Sequence, residues 1–149
     1  MILIFGGAYQ GKLAYALKRF GLTESDVYQC GDSGDSIDIP QGKKIIYEID
    51  KWIYALIERR FNSTEPTSGN NSDGATLELD ADIRDAIRQF IENNPDAIVI
   101  CNDISCGVVP AEAMARKWRD AVGRSLAELS KASDEVIRLF CGLPMGIKS

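Results

Sequence analysis

Met1-Ile2-Leu3-Ile4-Phe5-Gly6-Gly7-Ala8-Tyr9-Gln10-Gly11-Lys12-Leu13 is the stretch on which the reading of this chain turns. Residues 1–5 form an apolar run of strand character, and residues 6–12 fit the G-x-x-x-x-G-K frame of a phosphate-binding loop, or P-loop. Residues 12–20 then carry Leu13, Ala16, Leu17 and Phe20 at helical spacing, and Gly21 stops the helix. Strand, loop and helix in this order form the context in which such a loop binds phosphate. Gly6, Gly7, Ala8, Gln10 and Gly11 offer backbone N–H groups, Lys12 neutralises charge between the outer phosphates, and the helix adds its positive end. The frame therefore points to a nucleotide or phosphate as ligand, the alternative being a merely glycine-rich strand-to-helix turn. Leu13 breaks it, because a Ser or Thr hydroxyl is expected there to hold Mg2+ against the phosphates.

Outward from this loop the pattern alternates. Residues 27–30 give a short strand, the acidic, Gly- and Ser-containing residues 31–42 a connection, and residues 43–48 a third strand ending on Glu48. Ile49, Trp52, Ile53, Leu56 and Ile57 make a helix stripe over residues 49–60. Residues 61–75 offer no face to bury, so a mobile loop is expected over 62–75. A helix over 77–93 follows, ended by Asn94-Pro95, and residues 97–101 form a continuous apolar strand of the kind covered on both faces. Pro110 suits the first turn of a long helix striped by Ala111, Met114, Ala115, Trp118, Val122, Leu126 and Leu129. Strands are expected at 135–141 and 145–148. This alternation implies one α/β domain over residues 1–149, with a mostly parallel central sheet and helices on both faces.

Composition bounds the partners. The chain has 149 residues, 45% hydrophobic and 26% charged, enough for one core. A net charge of -5 argues against nucleic acid and anionic membranes, which need a concentrated positive patch, while small anions remain compatible with a loop and a helix N-terminus. No apolar run reaches the roughly 18 residues of a membrane span, and residues 1–5 read as a strand and not as a signal peptide. The four cysteines, Cys30, Cys101, Cys106 and Cys141, show no C-x-x-C spacing and read as buried free thiols in a reducing cytoplasm. With no histidine in the sequence, a zinc site is not expected.

Ligands of parallel sheets bind at the carboxyl ends of the strands, and three chemically loaded segments follow strands here: residues 6–12, 48–50 and 102–107. Glu48 can orient a metal ion or its water, or serve as a solvated carboxylate at a helix start; Asp50 is the weaker candidate. Among Arg116, Arg119 and Arg124, Arg116 can pair with Asp120 one turn on, and any of the three can bind phosphate through its planar guanidinium. Trp52, Trp118 and Met114 read as core.

Asn102-Asp103-Ile104-Ser105-Cys106-Gly107-Val108-Val109-Pro110, followed by Met114-Ala115-Arg116-Lys117-Trp118-Arg119-Asp120-Ala121-Val122-Gly123-Arg124, resembles the bifunctional adenosylcobinamide kinase and adenosylcobinamide-phosphate guanylyltransferase family. That family has an N-E-V-G-x-G-I-V-P segment followed by L-A-R-x-F-R-D-x-x-G-R. Residues 1–12 are similar to its opening, I-L-V-T-G-G-A-R-S-G-K-S, and residues 135–148 to its last strands. The resemblance covers about half the chain. It implies a three-layer P-loop (RecA-like) fold, a homo-oligomer, a place in cobalamin biosynthesis, ATP or GTP with Mg2+ as cofactor and a cobinamide as acceptor. It also implies catalytic roles for Lys12, Glu48 and Asp103. The departures are Leu13 for the family's Ser, Asp103 for its Glu, Leu126-Ala127 for an Asn-Gln pair, and a short loop where the family carries a helical segment with a histidine that becomes guanylylated. A chain without histidine cannot form that phosphoramidate. The sequence thus implies a shortened member, its guanylyltransferase half lost and its kinase half weakened; the alternative is a non-catalytic nucleotide-binding or partner subunit with a vestigial P-loop.

Overall fold

A computed structural model of the chain describes residues 1–31, 38–63 and 72–149. Its backbone runs β1 (Ile2–Gly6), α1 (Lys12–Phe20), a 3-10 turn (Glu24–Asp26), β2 (Val27–Gln29), β3 (Ile45–Tyr47), α2 (Ile49–Ser63), α3 (Ser72–Asn93), β4 (Ile98–Asn102), α4 (Ala113–Ala132), β5 (Glu135–Phe140) and β6 (Leu143–Lys148). Six strands make one sheet in the order β2-β3-β4-β1-β5-β6. All neighbours are parallel except β5 and β6, which form an antiparallel hairpin.

The apolar runs become the central strands because both faces of the sheet are covered. Leu3, Val99, Cys101 and Val136 point to a core shared with α2, α3 and α4. The alternate residues Ile4, Ile45, Ile98, Ile100, Ile137 and Leu139 point to the other face, where Ala16 of α1 is buried and Leu13, Leu17 and Phe20 pack. The result is three layers, with α1 on one side and three helices on the other. On the three-helix side Trp52 and Phe90 bring α2 and α3 together, ring centroids 5.7 Å apart.

Strand order decides where the site can form. β4 lies between β3 and β1, so the ends of all three reach one edge, and Gly6 registers with Asn102 on one side and Leu139 on the other. Gly6 is obligatory there: its φ is +152°, and a Cβ would stand 2.3 Å from the carbonyl oxygen of Leu139.

Several boundaries differ from the sequence expectation. α4 begins at Ala113, so Pro110 lies in the preceding loop, and α3 starts earlier, at Ser72. Asn62 and Ser63 close α2, while residues 64–71 of the expected mobile loop, and 32–37 of the connection before β3, lie outside the described residues. The buried-thiol expectation holds for Cys30 and Cys101 only. Cys106 is exposed in the loop after β4, and Cys141 is exposed in the β5–β6 turn at φ 51°. Burial pushes the Cys30 thiol up to about 12, which keeps it protonated.

Candidate functional site

The loop from Gly6 to Leu13 is built on backbone geometry that few sequences tolerate. Tyr9 sits at φ 58° and Gly11 at φ 75°, both left-handed, and together they turn the chain from β1 into α1. Glycine at position 11 removes the strain there and leaves the space beside it open, since nothing lies within 4 Å of a Cβ placed on it. Tyr9, fully exposed, crowns the loop. Gln10 turns back against Gly7, with its Oε1 buried and lacking a hydrogen-bond partner.

Lys12, the first residue of α1, is only 4% exposed, and its Nζ donates to the carbonyl oxygen of Gly7 at 2.7 Å. Burial holds its ammonium below the ordinary lysine value, opposed by the negative charges of Asp50 and Glu48. Leu13 turns the other way, packing against the cluster of Ile4 and Ala16 under α1.

The second segment joins β3 to α2. Glu48 adopts φ 61° and accepts from Lys51 Nζ at 2.5 Å and from Gln29 Nε2 at 3.1 Å. Asp50 is more deeply placed, 2% exposed, and accepts from the Asn102 backbone N–H at 2.9 Å and from Asn102 Nδ2 at 3.1 and 3.3 Å. Burial raises its carboxyl, and the Asn102 donors pull it back. Its backbone oxygen accepts the Trp118 indole N–H at 2.7 Å.

The third segment, after β4, starts against the first: the Asp103 N–H donates to the Gly6 carbonyl at 2.9 Å. Asp103 Oδ1 accepts from Ser105 Oγ at 2.6 Å and its backbone N–H at 3.2 Å. Arg119 then holds the loop, each of its three nitrogens at 2.9 Å from the carbonyl oxygen of Ser105, Gly107 or Val108. Arg116 donates to the carbonyls of Pro110 and Ala111, in the loop just before α4, and not to Asp120, the partner expected from helix spacing. Arg124 pairs with Asp80 on α3.

The fold thus brings Lys12, Glu48 and Asp103 to one sheet edge, with Gly6, Gly7, Ala8, Gln10 and Gly11 forming the loop between them. Sequence reasoning undervalued Asp50, which lies beside buried Ile49 on the inner side of α2, and it missed Asn102 and Trp118 as its supporting partners, as it missed Gln29 beside Glu48. The available signal was an asparagine ending a wholly apolar strand. Among the described residues, no group of three or more Cys, Asp or Glu side chains is placed to hold a metal ion. No helix among them is long and apolar enough to cross a membrane.

Residues 43–147 match the family described as cobinamide kinase / cobinamide phosphate guanyltransferase. Among curated proteins, the bifunctional adenosylcobalamin biosynthesis protein CobU of Salmonella typhimurium strain LT2 is 26% identical over 99 residues, 66% of this chain and 45% of that protein. The matched segment therefore spans less than half the length of this relative.

Proposed function

The chain belongs to the cobinamide kinase / cobinamide phosphate guanyltransferase family, and from that premise we propose that it is a nucleotide-binding member whose phosphate loop is kept and whose chemistry is reduced. In this reading the backbone N–H groups of Gly6, Gly7, Ala8, Gln10 and Gly11 hold the phosphates of ATP or GTP, with Lys12 between the outer two. Lys12 carries the argument. An ammonium kept buried at a helix N-terminus costs folding free energy through desolvation and through the helix dipole, a cost offset when an anionic phosphate binds. Six strands in one sheet organise the described helices, in keeping with one domain over residues 1–149. A homo-oligomer in the cytoplasm is part of the same reading.

The chemistry is reduced in two respects. These 149 residues hold no histidine for covalent guanylyl transfer. A protein-held magnesium ion does not fit the donor set either: Leu13 packs into the core, and Glu48, Asp50 and Asp103 are each engaged by N–H or O–H donors. Phosphoryl transfer to a cobinamide hydroxyl then rests on positioning and charge neutralisation by Lys12. Leu13, half-buried against Ile4 and Ala16, also favours a second reading, a subunit that binds nucleotide without turnover.

Calorimetry with ATP and GTP, with and without magnesium, separates these. Binding that Lys12→Ala abolishes supports the phosphate loop, and phosphoryl transfer to a cobinamide supports the enzyme. Binding without transfer supports the second reading. Absence of heat with either nucleotide overturns both.

A further inference from the structure

Between the middle turns of α3 and α4 lies a cavity of about 210 Å³, with none of the three strand-end segments in its lining. Ile83 and Ile87 of α3 and Ala121 and Ala127 of α4 give it apolar walls. Ser125 lines it too. That side chain is only 3% exposed, and among the described residues its hydroxyl has no hydrogen-bond partner. A hydroxyl withdrawn from water and left unpaired is a standing cost, which a polar group inside the cavity relieves. A lone water wants about three polar partners, and the walls that share the cavity with Ser125 are isoleucine and alanine. The rim sets the sign of the charge. Asp80 pairs with Arg124 across the two helices, and Glu128 pairs with Lys131 at 3.0 Å. Arg84 is left over. It makes no hydrogen bond or ion pair among the described residues, and Glu128 feels its charge from beyond ion-pair distance.

We propose that this cavity binds a small monocarboxylate with a compact apolar body. The Arg84 guanidinium takes the carboxylate, the Ser125 hydroxyl is the second donor, and the apolar body lies against Ile83 and Ile87. This site stands apart from the nucleotide reading and does not depend on it. A planar guanidinium holds a carboxylate through two parallel N–H···O bonds, the geometry that best uses one free arginine. One uncompensated cation suits one negative charge, whereas a phosphate, more highly charged and hydrated, would meet apolar walls. Size narrows the class further. A cavity of about 150 Å³ admits benzene, so this one takes a single ring or a short branched chain with its carboxylate and excludes a nucleotide or a macrocycle.

The test titrates the full chain with benzoate, isovalerate and the neutral benzamide, following the amide 1H–15N shifts of Ser125 and Ala127. Benzoate or isovalerate should move both amides saturably in the millimolar range, and benzamide should bind roughly tenfold more weakly than benzoate. Arg84→Gln should weaken benzoate roughly tenfold and leave benzamide within about twofold, while Ser125→Ala should weaken benzoate about threefold. Ala127→Leu, at an exposed position where leucine suits a helix, fills the mouth and should abolish binding of both, with the fold verified by circular dichroism. Absence of a saturable shift with either carboxylate overturns the proposal. Equal affinities for benzoate and benzamide overturn it as well, and so does benzoate binding that Arg84→Gln and Ala127→Leu leave unchanged.

Discussion

Two loops meet at the carboxyl edge of the sheet, and they are built on opposite principles. Residues 6–13 form a loop whose one cation is buried at a helix start, whose Tyr9 and Gly11 hold left-handed backbone, and whose space beside Gly11 is open. Residues 103–110 form a loop that spends its polar groups on itself, through Asp103, Ser105 and the three-way grip of Arg119. In the proposed function the first receives an anion, while the second is tied to itself. The arginines that sequence alone offers as phosphate ligands belong to the rigid loop or to the α3–α4 contact, so in the proposed function anion binding rests on Lys12 and the backbone around it.

The contrast breaks most severely at Gly6, the hinge between the two loops. Gly6→Ala drives a Cβ into the Leu139 carbonyl, a backbone atom that cannot yield without moving β5. We expect a loss of about 3 kcal/mol or more in chemical denaturation, with nucleotide binding lost in the same variant. A fold as stable as the parent would mean that the two strand ends are not as closely locked as the register implies.

Next in size is Lys12→Ala, which removes the charge-assisted contact of the anion loop. Nucleotide affinity should fall by about 2 kcal/mol, or roughly thirtyfold. The rigid loop should not notice, so amide exchange over 103–109 should stay as in the parent. Arg119→Ala gives the converse pattern. It removes three hydrogen bonds to loop carbonyls, one half-buried and two exposed, and should cost about 1 kcal/mol. Faster amide exchange confined to 103–109, with nucleotide affinity unchanged, is the expected signature. A drop in nucleotide affinity equal to that of Lys12→Ala would show that Arg119 is an anion ligand after all.

Leu13→Ser sharpens the comparison from inside the anion loop. The leucine is half-buried against Ile4 and Ala16, so its removal should cost about 1 kcal/mol of stability. The serine restores the hydroxyl that magnesium needs, and calorimetry should find nucleotide binding more magnesium-dependent than in the parent. Equal magnesium dependence would show that the hydroxyl position is not what limits the metal.

What the sequence made legible follows from range of interaction. The apolar strands, the Gly-Lys turn and the gathering of three strand ends at one edge all follow from local pattern and the rules of parallel sheets. The grip of Arg119 on Ser105, Gly107 and Val108 was not legible, since a helical arginine with an acidic residue nearby predicts a solvated pair, and only tertiary placement offers it three carbonyls. Asp50 was undervalued for the same reason. Its neighbour Glu48 ends a strand run and draws the eye, but the turn at φ 61° ties Glu48 to Lys51 and Gln29 and gives the inward position to Asp50.

The smallest expected effect is on pH dependence, and its sign follows from Lys12. Burial holds the folded ammonium below its ordinary 10.5, so between that lowered value and 10.5 the unfolded chain binds more protons than the folded one. Unfolding then takes up protons, and stability contributed by this group rises as pH climbs through the window. Asp50 works in the opposite sense near its own range, where a raised folded carboxyl makes stability fall as pH rises from 3.8 through its folded value. Thermal melts of the ligand-free protein from pH 8 to about 10.5 should therefore show a rise that Lys12→Met lacks, with the two proteins parallel below the window. A bound nucleotide should flatten the rise in the parent, because phosphate beside the ammonium brings its folded value back toward 10.5. A rise that survives Lys12→Met would place the titrating group elsewhere, and a rise that nucleotide leaves untouched would separate Lys12 from the phosphates.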